Sequence, residues 1–161
     1  RDVLGSRGLG DVYKRQDSDK AMRLYEMLEG RLPILMHCGD YRFQYSRPER
    51  LAKVLDAFPK LTVIAAHFGG WSLWDLALQY LENKNCYLDT SSSMMYLGQR
   101  RSKELIKAYG AERMLFGTDY PMWNSFDDIE MLEKMELSQN EYEMIFRKNA
   151  LKVLNIEEES K

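Results

Sequence analysis

Cysteine and histidine are scarce in this sequence, net charge is small, and no long apolar run occurs. Two cysteines, Cys38 and Cys86, cannot build a disulfide framework, and neither belongs to a C-x-x-C pair. They read as packed thiols suited to a reducing cytoplasm. A net charge of −2 and a pI near 5.8 supply no basic field to recruit nucleic acid or acidic membrane lipid. The longest uncharged stretch, Leu61 to Trp74, is broken by His67, Gly69 and Gly70. It is too short to span a bilayer, which takes about 20 residues. The sequence has no secretory h-region. It also lacks a P-loop, a G-x-G-x-x-G fingerprint and a G-x-S-x-G elbow.

What remains is a globular composition, 45% apolar and 30% charged, in 161 residues. That is one domain's worth. The opening Arg1 to Gln16, RDVLGSRGLGDVYKRQ, has no helical or alternating period. It looks like the translated sequencing-adapter tail of open reading frames from environmental (metagenomic) DNA. A natural disordered tail is the other reading. Packed structure is expected over 17–156, with 157–161 a frayed tail.

Four short apolar runs follow: Pro33–Met36, Leu61–Ala66, Cys86–Leu88 and Met114–Phe116. Their starts are 28, 25 and 28 residues apart, with helical patterns between them. Strands alternating with helices imply βαβ units and a parallel sheet. Two runs are near-continuously apolar, as expected when both sheet faces are covered.

Helix signals fill the gaps. Ser18 is a candidate N-cap for the stripe Ala21, Leu24, Tyr25 and Leu28, with Gly30 as the stop. Ser46 and Glu49 suggest a capping box ahead of Leu51, Val54, Leu55 and Phe58. Ser125 is placed to cap a helix whose first turn carries Asp127 and Asp128. Ser138 and Glu141 form a second box before Tyr142, Ile145, Phe146, Leu151 and Leu154. The cluster Arg100–Lys103 reads as a solvated helix start. The order is α-βα-βα-βα-βα plus a C-terminal helix, either an open sheet or half of an eight-stranded barrel. The roughly 145 residues after the opening segment fall short of the ~200 that a full barrel needs.

Polar residues gather at the strand ends. His37, His67 and Asp119 end or follow three separate runs, and Asp89 with Ser91, Ser92 and Ser93 follows another. In parallel α/β architectures the C-terminal strand ends carry chemistry. Imidazole plus carboxylate is the ligand set of a divalent-metal hydrolase. Each residue also has a plainer reading. A strand-end histidine can be a hydrogen-bonded structural residue, Asp119 can cap a turn at Tyr120-Pro121, and the serines can be ordinary loop. On pattern alone the shared site and the plainer readings stand level. Gly69-Gly70 either admits a close backbone approach or turns the chain into a helix. Trp71, Trp74 and Trp123 suit core or lid packing better than pocket lining. Arg42 can hold a substrate carboxylate or be a surface arginine.

Together, PILMHCGD, LTVIAAHFGG, CYLDTSSS, RMLFGTDYP and KNALKVLNI resemble strands five to eight and the closing helix of amidohydrolase-related metal-dependent hydrolases. That branch also contains aminocarboxymuconate-semialdehyde decarboxylase. The resemblance covers about Ser18 to Ile156. It implies α/β architecture, with parallel β/α units forming the C-terminal half of a TIM-type (β/α)8 barrel. It implies a divalent metal, usually zinc, with His37 and Asp119 as ligands, and His67 and Asp119 in acid/base roles. Arg42 and Trp71 are the weaker substrate-binding candidates. The family's strand-one H-x-H is absent here, so the implied metal site is incomplete.

Three functions stay in play. The first is a fragment of a hydrolase that turns metal-activated water on a C–N or ester-like bond of a small molecule. The second is a fragment of a metal-dependent decarboxylase of small carboxylates. The third is a non-enzymatic half barrel acting only with a partner, for which exposed strand edges favour homo-oligomers.

Overall fold

A computed structural model describes residues 15–157. The opening segment up to residue 14 and the tail from residue 158 lie outside the described residues. The order is α1 (Asp19–Leu28), β1 (Ile34–Met36), α2 (Pro48–Ala57), β2 (Val63–Ala65), α3 (Trp74–Leu81), β3 (Tyr87–Asp89) and α4 (Met94–Tyr109). A 3₁₀ turn (Ala111–Arg113), β4 (Met114–Leu115), α5 (Ser125–Glu133), α6 (Gln139–Glu143), a π segment (Met144–Lys148) and α7 (Asn149–Leu154) complete it. The four strands are all parallel and ordered β1-β2-β3-β4. Each strand expected from an apolar run is present, trimmed by one residue at β1 and β4 and by three at β2, and shifted one residue onward at β3.

The register sets two faces. Met36, Ala65, Leu88 and Met114 run across one face, and all four are buried. They form the core with Leu51, Val54 and Leu55 of α2, Leu81 of α3 and Leu105 and Ile106 of α4. Leu35 and Ile64 lie on the other face, where Leu35 is 55% exposed. That face is open at Leu35 of β1, while Asp89 of β3 and Leu115 of β4 are buried on it, so the expectation of two covered faces fails at the β1 edge. In a closed barrel this face lines the lumen.

Local signals with local partners held. Ser18 accepts a hydrogen bond from Ala21 N, and Ser138 with Glu141 makes a reciprocal capping box. The other two caps are corrected. Arg47, not Ser46, caps α2, while the Ser46 hydroxyl donates to the Gly39 carbonyl instead. Asn124, not Ser125, caps α5 through its side chain. Gln16, counted with the opening tail, is fully buried, and its side chain donates to the His37 carbonyl. Ser102 is buried inside the supposedly solvated cluster, because it shares one helical face with the buried Leu105, Ile106 and Tyr109. Leu154 is 56% exposed and Val153 buried, since the π segment delays the helical phase ahead of α7.

Asn149 seats the last helix. Its side-chain amide donates to the carbonyls of Ala111 (2.8 Å) and Met114 (2.6 Å), at the start of β4. Replacing it strands two buried acceptors. Asn149→Ala should lower stability by about 2 kcal/mol. Urea unfolding should then show a lower midpoint with an unchanged slope.

Candidate active site

The site is built on the ends of β1, β2, β3 and β4. β1 delivers His37 and β2 delivers His67, with backbone ladders carried past both strands. The Ala66 N–H donates to the Met36 carbonyl, and Trp71 N–H donates to the Cys38 carbonyl. Gly39 bridges to Trp71, and a Cβ at Gly39 would stand 2.3 Å from the Trp71 nitrogen. Only glycine lets the two loops approach so closely. Gly69 and Gly70 settle toward the turn reading: Cβ atoms there would strike Leu81 and Ala77 of α3 at 2.7 and 2.8 Å.

His67 occupies the left-handed region at φ 63°. Such a conformation costs a non-glycine residue about 1–3 kcal/mol and persists where the surroundings hold it. Here Asp89 does so. Its Oδ1 accepts the backbone N–H groups of His67 (2.9 Å) and Ser91 (3.0 Å), as well as the Ser91 hydroxyl. Its backbone carbonyl accepts the Phe68 N–H at 2.8 Å.

The two imidazoles meet. His37 Nδ1 and His67 Nε2 are 3.0 Å apart, and the ring planes cross at 66°. Carbonyls flank the pair, with Gly39 O 3.2 Å from His37 Nε2 and Ser91 O 3.0 Å from His67 Nδ1. Filling all three gaps takes three N–H groups, and two neutral imidazoles carry two. The missing proton is not supplied by ionising His37. Burial, reinforced by the neighbouring His67, lowers its pKa to about 4, against the weaker opposing pull of Gly39 O, Asp40 and Asp119.

Asp119 sits exposed at φ 63°, and its carbonyl accepts Met122 N–H in the following turn. Its carboxylate is not spent on that turn. Oδ2 accepts the Ser92 hydroxyl at 2.8 Å. Ser92 in turn accepts the Trp123 indole N–H at 2.8 Å. The serines that sequence left as either site or plain loop are thus the site's connectors. Ser91 meets His67, Ser92 meets Asp119, and Ser93 accepts the Trp74 indole N–H at 3.3 Å.

The two weaker candidates lie alongside. Arg42 binds Asp40 with both arms, Nε to Oδ1 at 2.9 Å and Nη2 to Oδ2 at 2.7 Å. Those bonds hold the Asp40 carboxyl below the usual carboxylate range. Arg42 is therefore a paired cation, a geometry the sequence did not disclose. Trp71 lies under that guanidinium, 6.0 Å from it. Trp71 in the loop after β2, Trp74 at the start of α3 and Trp123 gather around Tyr96, a residue that sequence reasoning passed over. The only signal for it was its place two residues into the helix that follows the serines.

In kind, the donors fit a divalent ion: a neutral imidazole at His37 and a carboxylate at Asp119. In number they fall short. No three His, Cys, Asp or Glu side chains among the described residues are placed to hold an ion together. A catalytic zinc takes three protein ligands. Cys38 and Cys86 do not join the site; both are free, buried thiols whose pKa burial raises. Among the described residues no helix is long and apolar enough to cross a membrane.

A family model described as "Amidohydrolase" matches residues 4–156. Among solved structures, an uncharacterized TIM-barrel protein from Bordetella bronchiseptica is similar at 28% identity and TM-score 0.68, covering 86% of this chain and 51% of that one. A putative amidohydrolase from Staphylococcus aureus is similar at 18% identity and TM-score 0.67, covering 88% and 60%. A dihydroxybenzoic acid decarboxylase from Polaromonas, with bound manganese and the inhibitor 2-nitroresorcinol, is similar at 18% identity and TM-score 0.64, covering 88% and 55%. No curated protein matches the chain. The chain spans little more than half the length of these solved relatives, and the fold they share is that of half a barrel.

The depressed pKa of His37 has a consequence for stability. The unfolded chain takes up the proton near pH 6.5, the folded chain only near 4. Stability is therefore full above pH 6.5 and falls as pH drops toward 4, by on the order of 3 kcal/mol. Urea midpoints measured across that window should show the slope, and His37→Asn should flatten it. Asp89→Ala should cost about 3 kcal/mol, because it leaves three donors without their acceptor.

Proposed function

The chain belongs to the amidohydrolase family, and from that premise we propose that it is the C-terminal half of a metal-dependent enzyme acting on a small molecule. One observation carries the reading. Adjacent parallel strands bring His37 and His67 to 3.0 Å, and the β3 loop that holds His67 also anchors Asp119.

His37 and Asp119 would hold the divalent ion, zinc in this proposal, and ligands outside the present donor set would complete it. When bound, such an ion supplies Lewis-acid polarisation and lowers the pKa of water. The chain's own residues do the rest. Asp119 keeps Oδ2 on Ser92, which leaves Oδ1 to accept the proton of an attacking water. His67 is held by the Ser91 carbonyl at Nδ1, and its Nε2, which meets His37 Nδ1 at 3.0 Å, is the atom that would exchange a proton with the reacting group. Burial of His67 keeps bulk water from that exchange.

Two chemistries suit this arrangement. Hydrolysis of a C–N or ester-like bond uses Asp119 as base and His67 as acid. Non-oxidative decarboxylation uses the same groups, one of them returning a proton to the carbon that loses carbon dioxide. The likeness to the Polaromonas decarboxylase supports the second as much as the family's description supports the first. The free buried thiols support a cytoplasmic setting. Exposed Leu35 at the open β1 edge supports association with a second half, a further copy of this chain included.

In a full-length protein carrying this segment, His67→Ala and Asp119→Asn should each lower kcat/KM by roughly 10²- to 10⁴-fold. Near-parental turnover in either variant sinks these roles. Released carbon dioxide, against released amine or alcohol, separates the two chemistries.

A further inference from the structure

The turn after β4 engages the Asp119 backbone, whose carbonyl accepts the Met122 N–H at 3.0 Å. The exposed carboxylate has one hydrogen-bond donor among the described residues, the Ser92 hydroxyl. One bond between two side chains, each able to turn about χ1, lets both swing together. The direction of Asp119 is therefore set by whatever holds Ser92.

The sheet places the Ser92 backbone. β3 lies beside β4 with Asp89 opposite Leu115, and side chains carry that register past the strand ends. The Thr90 hydroxyl accepts the Gly117 N–H at 3.1 Å and donates to the Gly117 carbonyl at 3.0 Å. Two residues further along each segment, Ser92 meets Asp119. The Ser92 hydroxyl itself is placed by Trp123, whose indole N–H reaches it at 2.8 Å. An indole N–H only donates, and a serine hydroxyl has one hydrogen to give. With Trp123 on one of its lone pairs, the Ser92 oxygen is fixed and its hydrogen goes to Asp119 Oδ2, also at 2.8 Å. Tyr96 braces the indole in turn, meeting it at 84° with centroids 6.1 Å apart. One buried oxygen thus joins both ends of the 119–123 loop to the segment after β3.

We propose that Trp123 is the positioning residue of Asp119. Acting through Ser92, it makes that hydroxyl a fixed donor, which holds Oδ2 and leaves Oδ1 as the free oxygen. This rests on the proton-accepting role proposed above for Asp119 and adds the residue that aims it. Without the indole N–H, Ser92 is bonded to Asp119 alone, and the hydroxyl follows the carboxylate as it swings toward solvent. A displacement of about 1 Å in a reacting group costs on the order of 10²-fold in rate, so the brace matters to turnover and not to affinity.

The first test uses the 161-residue chain labelled with ¹³C and ¹⁵N. Three-bond couplings from the Asp119 carboxyl carbon to its backbone nitrogen and carbonyl carbon read χ1 directly. The parent should show one rotamer. Trp123→Phe keeps a ring but removes the N–H, and it should give averaged couplings while the Trp71 and Trp74 indole signals stay in place. Ser92→Ala should do the same, and the double variant no more than either. Trp74→Phe, which removes the N–H bonded to Ser93 instead, should leave Asp119 in its single rotamer. Averaged couplings in the parent, a fixed Asp119 in Trp123→Phe, or equal release by Trp74→Phe overturns the proposal.

The second test is kinetic, in a full-length protein carrying this segment. Trp123→Phe should lower kcat about tenfold with KM held within about twofold, and adding Ser92→Ala should cost little more than Ser92→Ala alone. Fully additive losses, or a change confined to KM, overturn it. Near-parental turnover in Asp119→Asn, with Asp119 released by Trp123→Phe in the couplings, upholds the positioning and overturns the proton-accepting role.

Discussion

The buried carboxylate of Asp89 is the constraint on which the candidate site depends. One of its oxygens gathers two backbone N–H groups and a hydroxyl, from the segments after β2 and β3. Three donors on one carboxylate oxygen offset the cost of burying it, and they hold His67 in a backbone conformation that it would not otherwise keep. From this follows the direction of the His67 ring, hence its contact with His37. The same clamp sets the path of Ser91, Ser92 and Ser93, hence the anchoring of Asp119 and of two indoles. Without Asp89 the strand ends would still lie side by side, but nothing would aim their side chains at one another.

The sheet contributes the coarse placement and Asp89 the fine one. Parallel pairing puts every C-terminal strand end on the same side, so the residues that follow converge whatever their identity. The face turned away from the helices is open at Leu35, which fits a chain that spans little more than half the length of its solved relatives. The donor set is partial in the same sense. His37 and Asp119 are donors of the right chemical kind, and their number is that of a half site.

Much of this was legible in advance. His37, His67 and Asp119 were readable as strand-end residues because an apolar run followed by a polar residue is a contiguous pattern. Ser18 and Ser138 were readable as caps because the N–H groups they accept from lie three residues on. Ser46 and Ser125 show the limit of that reasoning. Each matched a local capping pattern, but Ser46 found the Gly39 carbonyl seven residues back, and Asn124 held the cap position one residue earlier. Asp89 and Ser92 carried the same strand-end signal but no sign of their partners, and Tyr96 carried no signal of either kind. Their partners are distant in the chain: Asp89 meets His67 across 22 residues, and Ser92 meets Asp119 across 27.

The sequence by itself determined the β/α order, the parallel sheet, the family resemblance and the strand ends where chemistry gathers. These rest on periodicity and on contiguous motifs, which need no knowledge of what packs against what. Only the tertiary structure decided that one sheet face is open at Leu35, that Arg42 is paired with Asp40, that the imidazoles touch and that four rings share a hub at Tyr96. Apart from the local Arg42–Asp40 pair, each of these depends on segments far apart in the chain. Such contacts exist only once the strands are in register, because the sheet sets which side chains can come within reach of one another.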